Sequence, residues 1–232
     1  MGLKKKTVIL LLACMTLFAS AFSGCAFGVR GSSTGVTVDE TGWITEEIVE
    51  NRGAEDYTEE ELISFIQDQV DRYNRQKESD AVKLNSCMAQ GNSVKISMGY
   101  ASFQDYAEFN QVVCFNGTLQ EAADAGYELD RNWYEPNGTK GDMGIIQERF
   151  KEWKVFIISE PIHVKVSDKI LYASDNVRVT GRLSAVVKTV MNETQSEDTG
   201  AASSSGTQTA KPQVTVHPLA TVAERFAYVI YK

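Results

Sequence analysis

This sequence contains few of the residues and motifs that carry out catalysis or bind phosphate. They would include histidines, nucleophile motifs and phosphate-binding motifs. Its two histidines are His163 and His217, and no G-x-S-x-G motif is present to supply a serine nucleophile beside either of them. Zinc sites cluster three or four ligands, and no H-x-x-x-H or C-x-x-C pair occurs. Neither G-x-x-x-x-G-K-[ST] nor G-x-G-x-x-G occurs. We therefore predict no catalytic residue, metal or cofactor.

Acidic side chains cluster in one region of the sequence. The cluster comprises Glu46, Glu47, Glu50, Glu55, Asp56, Glu59, Glu60 and Glu61. A calcium site is one interpretation, because hard cations bind several carboxylate oxygens. We favour another, in which Glu59, Glu60 and Glu61 form the first turn of a helix and complement its dipole. Paired glycosidase carboxylates come from distant strands and leave no local motif, so an enzyme stays the alternative.

Cys87 and Cys114 are the two cysteines that would remain after removal of an N-terminal signal. Both lie in predicted strands, and outside the cytoplasm a disulfide between them is permitted. A Cys87–Cys114 bridge is one interpretation, and two buried free thiols are the one we favour.

Trp133 and Tyr134 lie in a segment, 131–142, that contains glycine, asparagine and proline and that we predict to be a loop. An exposed aromatic pair there would form a ligand-binding surface. Packing into the core is the other interpretation of these two side chains, and it is the commoner fate of aromatic residues.

The first 25 residues have the three parts of an export signal. Lys4, Lys5 and Lys6 precede an apolar run, 7–22, that is short for a bilayer span. The following Ala21-Phe22-Ser23-Gly24-Cys25 resembles the bacterial lipobox. This resemblance implies a signal peptide over residues 1–24, cleavage before Cys25 and a diacylglyceryl chain on its thiol. An ordinary secretory signal and an uncleaved helix are the alternatives.

The charge of the chain after this cleavage bears on its partners. The sequence has 23 basic and 31 acidic residues, and three lysines but no acid leave with the signal, so the mature net charge is −11. This balance argues against nucleic acid, whose phosphates need a basic surface. It also argues against electrostatic adhesion to anionic lipid. Attachment would then depend on the lipid at Cys25.

The remainder of the sequence predicts a tether and one domain. A flexible tether covers residues 25–35, and an α+β domain covers residues 36–232. We predict a mainly antiparallel sheet with one long amphipathic helix, beginning at a Thr58–Glu61 capping box, and two short helices. Hairpins are predicted at residues 36–45 and around Gly91.

The segment 192–212 consists almost entirely of serine, threonine, glycine, alanine and glutamine, and we predict a disordered loop. The chain continues into a β-prone terminus, which we expect to pair back into the sheet because an exposed strand of this kind would aggregate. Deletion of residues 193–211 should leave the melting temperature almost unchanged, and deletion of 220–232 should collapse it.

The mature region also resembles a set of small surface lipoproteins of Gram-positive, clostridia-type bacteria. The resemblance lies in Gly42-Trp43-Ile44-Thr45-Glu46, in Asp105-Tyr106-Ala107-Glu108-Phe109-Asn110 and in Ala125-Gly126-Tyr127. It implies a location only: the cell membrane, lipid-anchored (a palmitate-bearing lipoprotein), on the extracellular or periplasmic side. We expect a non-enzymatic module that binds or supports an envelope protein or glycan. The alternative is a hydrolase-type envelope enzyme. A transporter's solute-binding lipoprotein would need two lobes, for which the chain is short.

The lipid anchor gives the first testable prediction. Cys25→Ala removes the thiol that would carry the lipid, so the protein should move from the membrane to the soluble fraction on cell fractionation. Persistence of the variant at the membrane would show that the anchor assignment is wrong.

Overall fold

The structure, a computed structural model, describes residues 33–51, 57–188 and 226–232. The predicted signal, Cys25, most of the tether and the loop 192–212 lie outside these residues. Four helices are described: α1 (Glu59–Lys77), α2 (Phe103–Asn110), α3 (Leu119–Asp124) and α4 (Met143–Glu148). The strands are β1 (Gly35–Val38), β2 (Ile44–Asn51), β3 (Val82–Gln90), β4 (Ser93–Tyr100), β5 (Cys114–Thr118), β6 (Lys154–Ile158), β7 (His163–Lys165), β8 (Ile170–Ala173), β9 (Val177–Val179), β10 (Ser184–Val187) and β11 (Ala227–Tyr231).

These strands form two sheets. A seven-stranded sheet has the order β3-β4-β2-β1-β7-β10-β9, and a four-stranded sheet has the order β5-β6-β11-β8. All neighbouring pairs are antiparallel except β1 and β7, which run parallel. The C-terminal strand β11 lies between β6 and β8, which confirms that the terminus pairs back into a sheet.

The four-stranded sheet is buried on both faces. Alternate residues of a strand face opposite sides, and in β11 Val229 packs into one hydrophobic cluster while Ile230 packs into another. The first cluster also contains inward-facing residues of the seven-stranded sheet. The second contains residues of α3 and α4. The four-stranded sheet therefore lies between the seven-stranded sheet on one face and a layer of short helices on the other.

Local signals in the sequence account for several element boundaries. Thr58 and Glu61 form the predicted capping box of α1, and Thr118 and Glu121 form a second one at α3. The predicted hairpin β1–β2 is present, and Gly42 in its turn has φ +87°, a left-handed conformation that favours glycine. The hairpin β3–β4 turns at Gly91, with φ +59°.

The predicted architecture of the α+β fold is wrong. The strands form two sheets rather than one, and the described residues contain four helices, only two of them longer than six residues, rather than one long and two short. The predicted apolar stripe of α1 is buried only at Leu62 and Val70. The helix lies against the edge strand β3 and leaves the rest of the stripe half-exposed, so it does not serve as the single amphipathic cover of a sheet.

The double burial of β11 gives a stability prediction. Ile230 is 0% exposed, and Ile230→Ala should lower the free energy of unfolding by about 2–5 kcal/mol, because the neighbouring strands cannot collapse into the space. The matched control is Ile145→Ala, at a side chain 48% exposed, which should change it by about 0.5 kcal/mol or less. Urea denaturation of both variants measures the difference, and equal losses would contradict the assigned position of β11.

Candidate functional site

Two carboxyl groups from distant parts of the chain meet in the interior, and we call this group the carboxylate cluster. It comprises Glu46 on β2, Tyr100 at the end of β4, Tyr106 and Asn110 on α2, and Glu160 just after β6. Glu46 is only 6% exposed, because it alternates with Ile44 and Ile48 on the buried face of β2. Glu160 and Asn110 are half-buried and lie nearest to solvent.

Hydrogen bonds join the members of the carboxylate cluster. The Tyr100 hydroxyl donates to Glu46 Oε2 at 2.7 Å. Asn110 Nδ2 donates to the Tyr100 hydroxyl oxygen at 3.2 Å and to Glu46 Oε2 at 3.4 Å. The Tyr106 hydroxyl donates to Glu160 Oε2 at 2.6 Å. Tyr106 and Asn110 are four residues apart on α2 and so share one face of that helix.

Burial dominates the electrostatics of the carboxylate cluster. It raises the pKa of Glu46 to about 7, and the neighbouring charge of Glu160 adds to the rise while the Tyr100 hydrogen bond opposes it. Burial also raises the pKa of Glu160, against the opposing hydrogen bond from Tyr106. Glu46 therefore holds or releases its proton close to neutral pH, as a general acid or base does.

Cys114 lies beside the carboxylate cluster but does not supply a nucleophile. Burial raises the pKa of its thiol well above the ordinary value, and the charges of Glu160 and Glu46 raise it further. The thiolate is the reactive form of cysteine, and this environment disfavours it. Cys114 acts here as a buried apolar side chain.

The sequence contains a signal for Glu46 that the acidic-cluster interpretation missed. The calcium interpretation treats Glu46 as one of several neighbouring acids, whereas the alternation Ile44, Glu46, Ile48 places it on the inner face of a strand. Within the described residues no three histidine, cysteine or acidic side chains lie close enough together to hold a metal ion. The partnership of Glu46 with Glu160 had no sequence signal, because it depends on how the two sheets pack.

A second candidate site is a surface groove of about 230 Å³, which we call the β9 groove. It is lined by Tyr134, Glu135, Pro136, Gly138, Ala173, Ser174, Asp175, Val177, Arg178, Val179 and Lys188. One wall is the loop from Tyr134 to Gly138, and the other is the edge strand β9. The Tyr134 N–H donates to the Ala173 carbonyl at 2.9 Å, and the Ala173 N–H donates back at 2.8 Å, so the loop is fixed to β8.

The charges on the rim of the β9 groove are of both signs. Arg178 and Lys188 are exposed cations, and Asp175 is an exposed acid. Lys188 Nζ donates to the backbone carbonyl of Asp175 at 3.0 Å. Arg131 lies near Asp175, with 3.8 Å between Nη2 and Oδ1. A groove with this rim can contact polar or zwitterionic ligands. Because charges of both signs lie on the rim, the groove has no strong electrostatic field of one sign.

The structure places the two residues of the predicted aromatic surface differently. Tyr134 is half-buried and lines the β9 groove. Trp133 is 1% exposed, packs edge-on against Tyr228 at 5.9 Å between ring centroids, and donates from Nε1 to the Leu129 carbonyl. Successive residues of an extended segment face opposite sides, so only one of the pair can reach solvent. Trp133 is therefore not part of a ligand surface.

The remaining predicted residues do not converge on either site. Cys87 on β3 and Cys114 on β5 are both buried free thiols, so the structure contains no Cys87–Cys114 bridge. They belong to different sheets. His163 is exposed on β7, and His217 and Cys25 lie outside the described residues.

Comparison with known proteins does not assign the chain. No family model, no curated protein sequence and no solved structure matches it. Within the described residues, no helix combines the length and the apolar character that crossing a membrane requires.

The raised pKa of Glu46 gives a prediction for stability against pH. The folded-state pKa of about 7 lies above the ordinary value of 4.5, so between these pH values the folded protein keeps a proton that the unfolded chain loses. The contribution of Glu46 to the free energy of unfolding is thus full below pH 4.5. It falls by on the order of 3 kcal/mol as the pH rises through about 7.

Glu46→Gln should abolish this fall, since an amide oxygen can still accept from Tyr100 and does not ionise. Chemical denaturation at pH 4.5 and above pH 7 would show the variant gaining stability relative to the wild type at the higher pH. Glu47→Gln, at the exposed neighbour on the same strand, should follow the wild-type curve. Parallel curves for Glu46→Gln and wild type would show that Glu46 does not titrate in this range.

Proposed function

We propose that this chain is an exported lipoprotein of the cell envelope whose α+β domain is a non-enzymatic binding module. The lipid at Cys25 would hold the mature protein on the outer side of the cell membrane. The lipobox-like sequence supports this anchor, and the net charge of −11 leaves electrostatic adhesion as a poor substitute. Cys14→Ala, which changes a cysteine that the cleaved signal removes, is the matched control for Cys25→Ala.

The observation that carries the binding role is the β9 groove. Its walls are a loop fixed to β8 and a strand of the seven-stranded sheet, so it is formed before any ligand arrives. Preformed concave sites with a few polar groups are the usual form of binding sites. The groove also contains Tyr134, an aromatic side chain with a polar tip, a type enriched at recognition surfaces. The ligand is a protein or glycan of the envelope.

A hydrolase-type envelope enzyme is the second candidate, and the carboxylate cluster favours it. Burial raises the pKa of both of its carboxyl groups, and a general acid or base works best with a pKa near the operating pH. We rank it second because Glu46 Oε2 already accepts from Tyr100 and Asn110 inside the core. A substrate would have to displace those bonds to reach it.

Photo-crosslinking on intact cells tests the binding role. A benzoylphenylalanine in place of Tyr134 should crosslink the protein to an envelope protein or glycan, because the side chain lines the β9 groove. The matched control carries the same group in place of Asp68, an exposed residue of α1. Equal capture from both positions, or none from position 134, would contradict the proposal.

A further inference from the structure

Some outward backbone groups on the edge strands β3, β8 and β5 are paired within the chain. An edge strand leaves a row of backbone N–H and C=O groups that can pair with another chain. On β3, Asn74 bonds both the N–H and the carbonyl of Val82, and Glu59 accepts from the Ala89 N–H at 2.7 Å. On β8, Ala173 is paired with Tyr134. On β5, Glu121 accepts from the Thr118 N–H at 2.7 Å.

The register of β9 shows which of its backbone groups face outward. The Lys188 N–H donates to the Asn176 carbonyl, and the Thr180 N–H donates to the Ser184 carbonyl. These pairs belong to the same register as Arg178 with Val186. Hydrogen-bonded pairs alternate along an antiparallel ladder, so even-numbered residues bond β10 and the backbone of Val177 and Val179 faces away from it.

These outward groups lie in the β9 groove. The Val177 N–H donates to the Ser174 carbonyl. For the Val177 carbonyl and for the N–H and carbonyl of Val179, the structure gives no hydrogen-bond partner among the residues it describes. Val177 and Val179 both line the groove opposite the loop that begins at Tyr134. The groove thus offers a donor and two acceptors at the spacing of an extended polypeptide.

We propose that the β9 groove binds an extended polypeptide segment of another envelope protein, which adds as a strand to β9. This inference rests on the proposed binding function and names the class of ligand. Main-chain hydrogen bonds to Val177 and Val179 hold the segment, and Tyr134 and the charges of Arg178, Asp175 and Lys188 contact its side chains.

Two other occupants fit the groove less well. A second copy of this chain would have to bring the edge of a folded sheet into a concave site between β9 and the loop 134–138. A free segment carries no folded sheet beside it. A glycan has no main chain to pair with the outward groups of Val177 and Val179.

The test removes the outward donor and keeps the fold. Val179→Pro deletes the N–H of Val179, and proline is tolerated on an edge strand where that group faces away from the ladder. Val179→Thr is the matched control, because it keeps the N–H and a β-branched side chain. The probes are peptides selected from a displayed random library on the purified mature protein in detergent micelles.

We expect selected peptides to bind the wild type and Val179→Thr equally, and Val179→Pro about tenfold more weakly. A selected peptide should also slow hydrogen exchange at the Val179 amide of the wild type, a readout that stands even if the proline variant unfolds. Failure to select any peptide, equal binding by the proline variant, or an unprotected Val179 amide would each overturn the proposal.

Two further outcomes separate this inference from the proposed function. A glycan crosslinked at position 134 leaves the binding role standing and overturns the polypeptide assignment. Concentration-dependent self-association that Val179→Pro abolishes assigns the groove to a second copy and also overturns it.

Discussion

The four-stranded sheet must be covered on both faces, and much of the architecture follows from this requirement. Four of the five residues of β6 and all five of β11 are buried, so neither face of the sheet can meet water. The seven-stranded sheet covers one face, and α3 and α4 cover the other. Sheets buried on both faces are built from nearly continuous apolar strands rather than from alternating ones. The sequences KVFII and AYVIY have this character.

The same close packing explains how a carboxyl group can lie in the core. An ionised Glu46 would be costly there, so burial shifts its pKa toward the neutral form. The hydroxyl of Tyr100 and the amide of Asn110 satisfy its oxygen. Because Tyr106 joins α2 to Glu160, the hydrogen bonds also fix α2 against both β2 and the segment after β6. These bonds therefore connect α2 to a carboxyl group whose pKa is raised by burial.

The sequence predicts those parts of the fold that a few adjacent residues determine. The capping boxes at Thr58 and Thr118 carry their own partners three residues later, and Gly42 supplies a conformation that its turn needs. The division of the strands into two sheets has no such local signal, because an apolar strand has the same sequence pattern in either sheet. For the same reason the meeting of Glu46 with Glu160 could not be predicted. The loop character of residues 131–142 does not distinguish Trp133 from Tyr134, and Trp133 is buried because it packs against Tyr228.

The β9 groove forms where the chain passes from one sheet to the other. The turn between β8 and β9 is tied to β11, since the Tyr228 N–H donates to Ser174 Oγ at 2.9 Å and the Ser174 N–H donates to the Tyr228 carbonyl at 3.0 Å. Ser174 is 1% exposed, so these bonds are shielded from water. The groove is consequently held by β11, whose five residues are all buried. A ligand entering it would meet ordered walls, and the entropy lost on binding would fall mainly on the ligand. A segment that is already extended before binding would lose less entropy than a flexible one.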